Sequence, residues 1–185
     1  MQVRRRNHIR EKVQFLLSER GITEPKVPVH EFAKAYGIDV RIQPIDEDVS
    51  GFLFRQASHT IIGVNKIQNE VRRRFTIAHE LGHYFLHGGQ GLQEVHIDRV
   101  GKLKLRGPSS STGIDPEEVE ANFFAAELLM PIKFLAQEET IKTGLDLSGD
   151  DNSKEISSLA DKYGVSRQAL TFRLGNLGWA NLQLG

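Results

Sequence analysis

The 185-residue chain contains no cysteine. Disulfides and thiolate metal sites are therefore excluded, and any bound metal must be held by His, Asp or Glu. Net charge is also lacking, because Lys+Arg and Asp+Glu both number 24. Overall electrostatics thus provide no pull toward nucleic acid or a membrane surface. No apolar run approaches the ~18 residues that a membrane span requires. The basic N-terminus, MQVRRRNHIR, is not followed by the apolar segment of a secretory signal. These absences predict a cytoplasmic protein with no membrane partner. The length suits one domain with a real core and a small appendage.

Periodicity then predicts an α+β fold. Residues 4–20 read as an amphipathic helix with Ile9, Val13, Leu16 and Leu17 on one stripe, stopped by Gly21. A short helix over 29–36 ends at Gly37. Strict alternation at Ile38, Val40 and Ile42 predicts a half-buried strand, and residues 51–54 and 60–64 read as two more, joined by a turn around Ala57-Ser58. The expected sheet is small, three-stranded and antiparallel. A helix follows from Asn69 to His87, with Val71, Phe75, Ala78 and Phe85 recurring at helical spacing and Leu81 nearby. Residues 88–114 form a long connection in which only 95–100 can be a strand. Asp115 then caps a further helix with Pro116 at its first position, an apolar face at Val119, Phe123, Ala126 and Met130, and a break at Pro131. The predicted organisation is a core over 1–142, a polar linker over 143–154 and a small helical tail over 155–185.

Chemistry enters at His79-Glu80-Leu81-Gly82-His83, which reads H-E-x-x-H within the predicted helix. Two histidines four apart share a helix face, and the glutamate lies about 60° from His83 on the wheel. This suits a divalent metal held by two imidazoles, with Glu80 placed to take a proton from water at the metal. Gly82, between the ligands, would let another segment approach closely. Zinc is the expected ion, and manganese or iron also suit a His₂Glu set. An oxyanion stabiliser is needed as well, and His87, His96, Tyr84 and His59 are candidates.

A catalytic zinc ordinarily has three protein ligands. On the helix after Asp115 the candidates are Glu117, Glu118, Glu120 and Glu127. Glu118 and Asn122 share a face, whereas Glu120 points about 160° away from Glu118. Glu118 is favoured as the ligand, with Asn122 receiving the second N–H of a ligating histidine. Glu117 and Glu127 stand in reserve. Asp115 and Glu118 also have the spacing of a capping box, which would direct Glu118 back to the helix cap instead.

The stretches RRRFTIAHELGHYFLH (72–87) and EVEANFFAAELLMP (118–131), with VHIDR (95–99) and the 109–113 segment between them, resemble the ImmA/IrrE family of zinc metallopeptidases over about residues 5–140. The resemblance implies a gluzincin-like core: a small sheet on the H-E-x-x-H helix, metal ligands at His79, His83 and Glu118, and Glu80 as general base. It selects Glu118 over Glu120. It further implies a protein substrate, a helix-turn-helix repressor or similar regulator encoded nearby. Arg106-Gly107 departs from the family pattern, in which an acidic residue commonly follows the arginine.

The tail raises another function class. Residues 159–170 fit a helix-turn-helix pattern from which Arg167, Gln168 and Arg173 would reach DNA. Residues 32–38 echo that pattern ahead of a predicted strand, so it need report only a glycine-stopped helix. With few basic residues and no net charge, direct nucleic-acid binding is not expected. A third reading keeps the metal without catalysis, as a binding module that sequesters a regulator.

Overall fold

A computed structural model describes residues 1–56, 59–88, 93–99, 115–142 and 152–179. The expected turn at Ala57-Ser58, the Arg106-Gly107 departure, the 109–113 stretch and most of the predicted linker lie outside the described residues. Helix α1 (Val3–Glu19) buries Ile9, Val13, Leu16 and Leu17, the predicted stripe, and α2 (Val29–Ala35) follows. Strands β1 (Ile38–Gln43), β2 (Val49–Gln56) and β3 (His59–Asn65) precede helix α3 (Glu70–Leu86). Asn69 caps α3 by accepting from the Arg72 N–H, as its short polar side chain allows.

The sheet corrects the expectation of three antiparallel strands. A fourth strand, β4 (Gln93–Arg99), joins in the order β1-β3-β2-β4, and β1 pairs with β3 in parallel while the other pairings are antiparallel. Alternation reveals which face of a strand is buried but not which neighbour it meets. Here β3 inserts between β1 and β2. The β1–β2 connection over 44–48, which must pass β3, is organised by Asn65, whose side chain donates to the carbonyls of Ile45, Asp46 and Val49 at 2.9–3.2 Å.

One sheet face packs on α3. Ile38, Leu53, Ile62 and Val64 join Ile77, Ala78 and Leu81 in the core. Two glycines permit the closest approaches. A Cβ on Gly51 would strike the Thr76 side chain and come within 2.7 Å of the Gly63 carbonyl oxygen. A Cβ on Gly82 would lie 2.8 Å from the Ala121 Cα, so α3 meets the next helix backbone to backbone there, as expected of a glycine between the histidines. That helix, α4 (Pro116–Leu129), buries Ala121, Phe124, Ala125, Leu128 and Leu129. Of the predicted stripe, Met130 is buried, whereas Val119, Phe123 and Ala126 are only half-buried. The helix is apolar around most of its circumference, so spacing alone did not single out the inward face.

After α5 (Ile132–Leu135) and α6 (Glu139–Lys142) come α7 (Asn152–Tyr163) and α8 (Arg167–Asn176). Leu159, Tyr163, Leu170 and Leu174 enter the same apolar core. Buried Arg74 on α3 donates to the carbonyls of Val27, Tyr163 and Gly164, fixing the α7–α8 turn to the core. Arg173, one of the three residues assigned to DNA on the helix-turn-helix reading, is instead buried in an ion pair with Glu127. Arg167 and Gln168 are exposed. Among the described residues no helix is long and apolar enough to cross a membrane.

Candidate metal centre

Helix α3 presents His79, His83 and, at its C-cap, His87 along one line. Helix α4 crosses against it at Gly82 and contributes Glu118, Glu120 and Asn122. The Nε2 atoms of His79 and His83 stand 3.2 Å apart. Glu118 Oε2 is 3.6 Å from His79 Nε2, and Glu118 Oε1 is 3.7 Å from His83 Nε2. Ligands about 2.0–2.1 Å from a tetrahedral ion are separated by roughly 3.3 Å, so the three groups are spaced to hold one such ion. Among the described residues, His79, His83 and Glu118 form one of three His/Glu/Asp clusters close enough for a metal.

Donor chemistry agrees with that spacing. His79 Nδ1 lies 3.2 Å from Asn122 Oδ1. An amide oxygen only accepts, so His79 carries its proton on Nδ1 and leaves Nε2 bare. Burial lowers the His79 pKa to about 4 and that of His83 to about 2, in the latter case with help from neighbouring imidazoles. Both rings are therefore neutral near pH 7, the form that binds metal. Glu118 is held down at about 2, chiefly by its hydrogen bond from His96. Its side chain does not turn back to close a capping box: Asp115 caps α4 through the Glu117 N–H, and Glu118 points to the histidines.

Glu80 is fully buried on α3 beneath β4. Its Oε2 meets His96 Nδ1 at 3.2 Å, while Oε1 has no hydrogen-bond partner. Burial raises its pKa to about 7, the range in which a carboxylate can both take and return a proton. His96 bridges the carboxylates, with Nε2 2.8 Å from Glu118 Oε1 and its ring stacked on His83 at 3.6 Å between centroids. Burial opposes a charge on His96, but the Glu118 and Glu80 carboxylates outweigh it and raise the pKa to about 10.

The remaining candidates divide by position. His87 is drawn into the cluster, with Nδ1 3.1 Å from His83 Nδ1 and Nε2 3.1 Å from Glu120 Oε2. Tyr84 packs on Phe85 and lies under the Arg55 guanidinium. His59 is exposed at the start of β3, opposite Gln56. Of the reserve ligands, Glu117 is exposed and close enough to His83 and His87 to form a second cluster. Glu127 is committed to Arg173 and Arg10 on another side of α4.

Sequence reasoning missed Asp98. It is fully buried, faces Glu80 and His79, and sits opposite Gly51 beside a β-bulge. Burial raises its pKa to about 6 against the pull of Arg72. The available signal was period two: His96 and Asp98 are two apart on a strand and so share a face.

The match to known proteins follows the same segments. A family model described as Peptidase M78, IrrE N-terminal-like domain, matches residues 33–175. The chain belongs to this family. It is 29% identical over 138 residues to immunity region protein 2 of Bacillus phage phi105, covering 75% of this chain and 78% of that protein. It is 25% identical over 177 residues to the radiation response metalloprotease IrrE of Deinococcus radiodurans, covering 85% of this chain and about half (50%) of that protein's length. A metallopeptidase family implies a metal, usually zinc. The convergence of two neutral imidazoles and a carboxylate fits that implication.

Proposed function

We propose that the chain is a zinc-dependent endopeptidase of narrow specificity whose substrate is a DNA-binding regulator, a helix-turn-helix repressor or antitoxin-like protein encoded nearby. The observation that carries this reading is a buried glutamate with one free carboxylate oxygen, Glu80, set beside a His79/His83/Glu118 triangle sized for one ion. A divalent ion held by that triangle would acidify water and polarise the scissile carbonyl. Glu80 takes the proton of the attacking water and delivers it to the leaving amine. Among the candidates for stabilising the developing oxyanion, His96 is favoured, because it alone reaches both Glu80 and Glu118 from the opposite wall.

The name of the phage relative ties that protein to an immunity region, and the Deinococcus relative is named for a radiation response. Both names are consistent with action on a regulator. The unpaired Glu80 oxygen favours chemistry over a purely sequestering role, which would not require a poised base.

The deciding experiment incubates the purified chain with the DNA-binding protein encoded beside it, with zinc and with a chelator. A single cut that needs zinc supports the reading. Tight binding without a cut, at any metal content, would replace it with the sequestering one.

A further inference from the structure

We infer that His87, Glu120 and Arg5 form a relay that fixes His83 as an Nε2 ligand, which makes α1 a positioning element of the metal site. This rests on the proposed function, in that His83 is taken to hold the ion.

The relay has one consistent direction. Arg5 on α1 grips the Glu120 carboxylate with two hydrogen bonds, Nε to Oε1 at 2.8 Å and Nη2 to Oε2 at 2.5 Å. Glu120 can therefore only accept, and His87 Nε2, 3.1 Å from Oε2, must carry hydrogen. For His83 to turn the lone pair of Nε2 to the ion, its own proton must lie on Nδ1. That proton points at His87 Nδ1, 3.1 Å away, which accepts it through the lone pair that an Nε2–H tautomer leaves there. His83 is left with its lone pair on Nε2, the atom that faces His79 and Glu118.

The arrangement matches that at His79 in outcome but differs in construction. There a single neutral amide, Asn122, receives the Nδ1 proton. At His83 the acceptor is a second imidazole, itself oriented by an ion pair spanning 115 residues of sequence. His87 is nearly buried, at 6% exposure, and Glu120 is 17% exposed, so water competes little for these bonds. Hydrogen bonding behind a ligating histidine ordinarily governs 10–100-fold in metal affinity. The relay also leaves neither His87 nitrogen free, which argues against a second ion in the His83/His87/Glu117 cluster.

The test uses the full chain and two readouts. Zinc affinity is measured by competition with a chromogenic chelator. The tautomers of His79 and His83 are read from imidazole 15N shifts in the metal-free protein. His87→Leu should weaken zinc about 10–100-fold and shift His83 away from the Nδ1–H form while leaving His79 unchanged. His87→Asn, which keeps an acceptor near the Nδ1 position, should recover most of both losses. Glu120→Gln and Arg5→Met should each weaken zinc severalfold, and neither should add to His87→Leu. Unchanged zinc affinity and an unchanged His83 tautomer in a folded His87→Leu protein would overturn the relay. If instead the wild-type chain and His83→Ala bind zinc equally, the metal reading fails. The metal-free tautomers then still decide the relay: dependence of His83 on His87 supports it, and independence refutes it.

Discussion

Two buried charged clusters flank α4, and they are built on opposite principles. On one side Glu127, 2% exposed, receives both Arg173 nitrogens at 2.8 and 2.6 Å and the Arg10 Nε at 3.1 Å. Arg173 spends its remaining Nε on the Met130 carbonyl. On the other side Glu80 and Asp98 are fully buried, yet Glu80 Oε1 and both Asp98 oxygens make no hydrogen bond of normal geometry. Among the described residues these three atoms are the buried side-chain oxygens so left. A buried carboxylate oxygen without a partner costs on the order of 1–3 kcal/mol. The first cluster minimises that cost and the second tolerates it. The difference separates scaffold from site: one holds α1, α4 and α8 together, and the other keeps a base free to react.

The largest expected effect breaks the second cluster alone. Glu80→Gln should lower cleavage by roughly 10²–10⁴-fold while retaining zinc, read as turnover of the regulator beside elemental analysis of the purified variant. Because the residue removed is a carboxylate with an unsatisfied oxygen, thermal stability should hold or rise. Full cleavage by a clean variant would refute the assignment of the base. Breaking the first cluster should do the reverse. Glu127→Ala strands a buried guanidinium, a change worth about 3–5 kcal/mol, which for a chain of this size lowers Tm by roughly 10 °C. Cleavage per folded molecule at low temperature should stay near wild type. A loss of zinc disproportionate to unfolding would return Glu127 to the list of ligands.

The contrast also marks what was legible in the sequence. The ligand helix could be read because its information is local: Asn69 caps it, His79 and His83 fall one turn apart, and Gly82 marks the close crossing. The resemblance of Tyr36-Gly37 to Tyr163-Gly164 was equally local. Both glycines adopt positive φ, 73° and 62°, after a helix; one then leads into β1 and the other into α8. What stayed hidden depends on partners far apart in sequence. Glu127 reads as a possible ligand and Arg173 as a possible DNA contact until their 46-residue separation closes into an ion pair. Helical spacing points Glu120 away from Glu118. That geometry is correct, and it is the reason Glu120 meets His87 and Arg5. The parallel β1–β3 pairing belongs to the same class, since alternation carries no information on neighbours.

A smaller effect tests whether backbone approach, separately from ligand chemistry, builds the site. Gly82→Ala adds one methyl facing Ala121 Cα at 2.8 Å and its carbonyl oxygen at 3.0 Å. Helix α4 must shift, at a cost of about 1–3 kcal/mol of overpacking, partly offset by the better helix propensity of alanine. Glu118 moves with α4 while His79 and His83 stay on α3, so zinc affinity should fall although no ligand has changed. The Glu127 cluster, farther along α4, should survive. Unaltered zinc affinity and Tm would mean that the crossing has slack and that the glycine is not required there.

The last expected effect is a pH dependence carried by the second cluster. Burial raises Glu80 to about 7 in the folded chain from an ordinary 4.5. Its contribution to stability is therefore complete below pH 4.5 and is lost as pH rises through 7. Gln at this position does not titrate, so the Tm of Glu80→Gln minus that of wild type, both in chelator, should grow between pH 4.5 and 7.5 and then level off. The histidines work in the opposite sense. His79 and His83 are depressed to about 4 and about 2, so folding loses stability as pH falls below 6.5 and the unfolded chain takes up their protons. Those terms are common to both proteins and to first order cancel in the difference, whereas the His96 proton, held by Glu118 and Glu80 together, is only partly common. At full size the Glu80 shift corresponds to about 3 kcal/mol, or roughly 5–10 °C in Tm for a chain of this length. A flat curve for Glu80→Gln would mean that Glu80 is solvated and ordinary in the folded chain, which would remove the contrast between the two clusters.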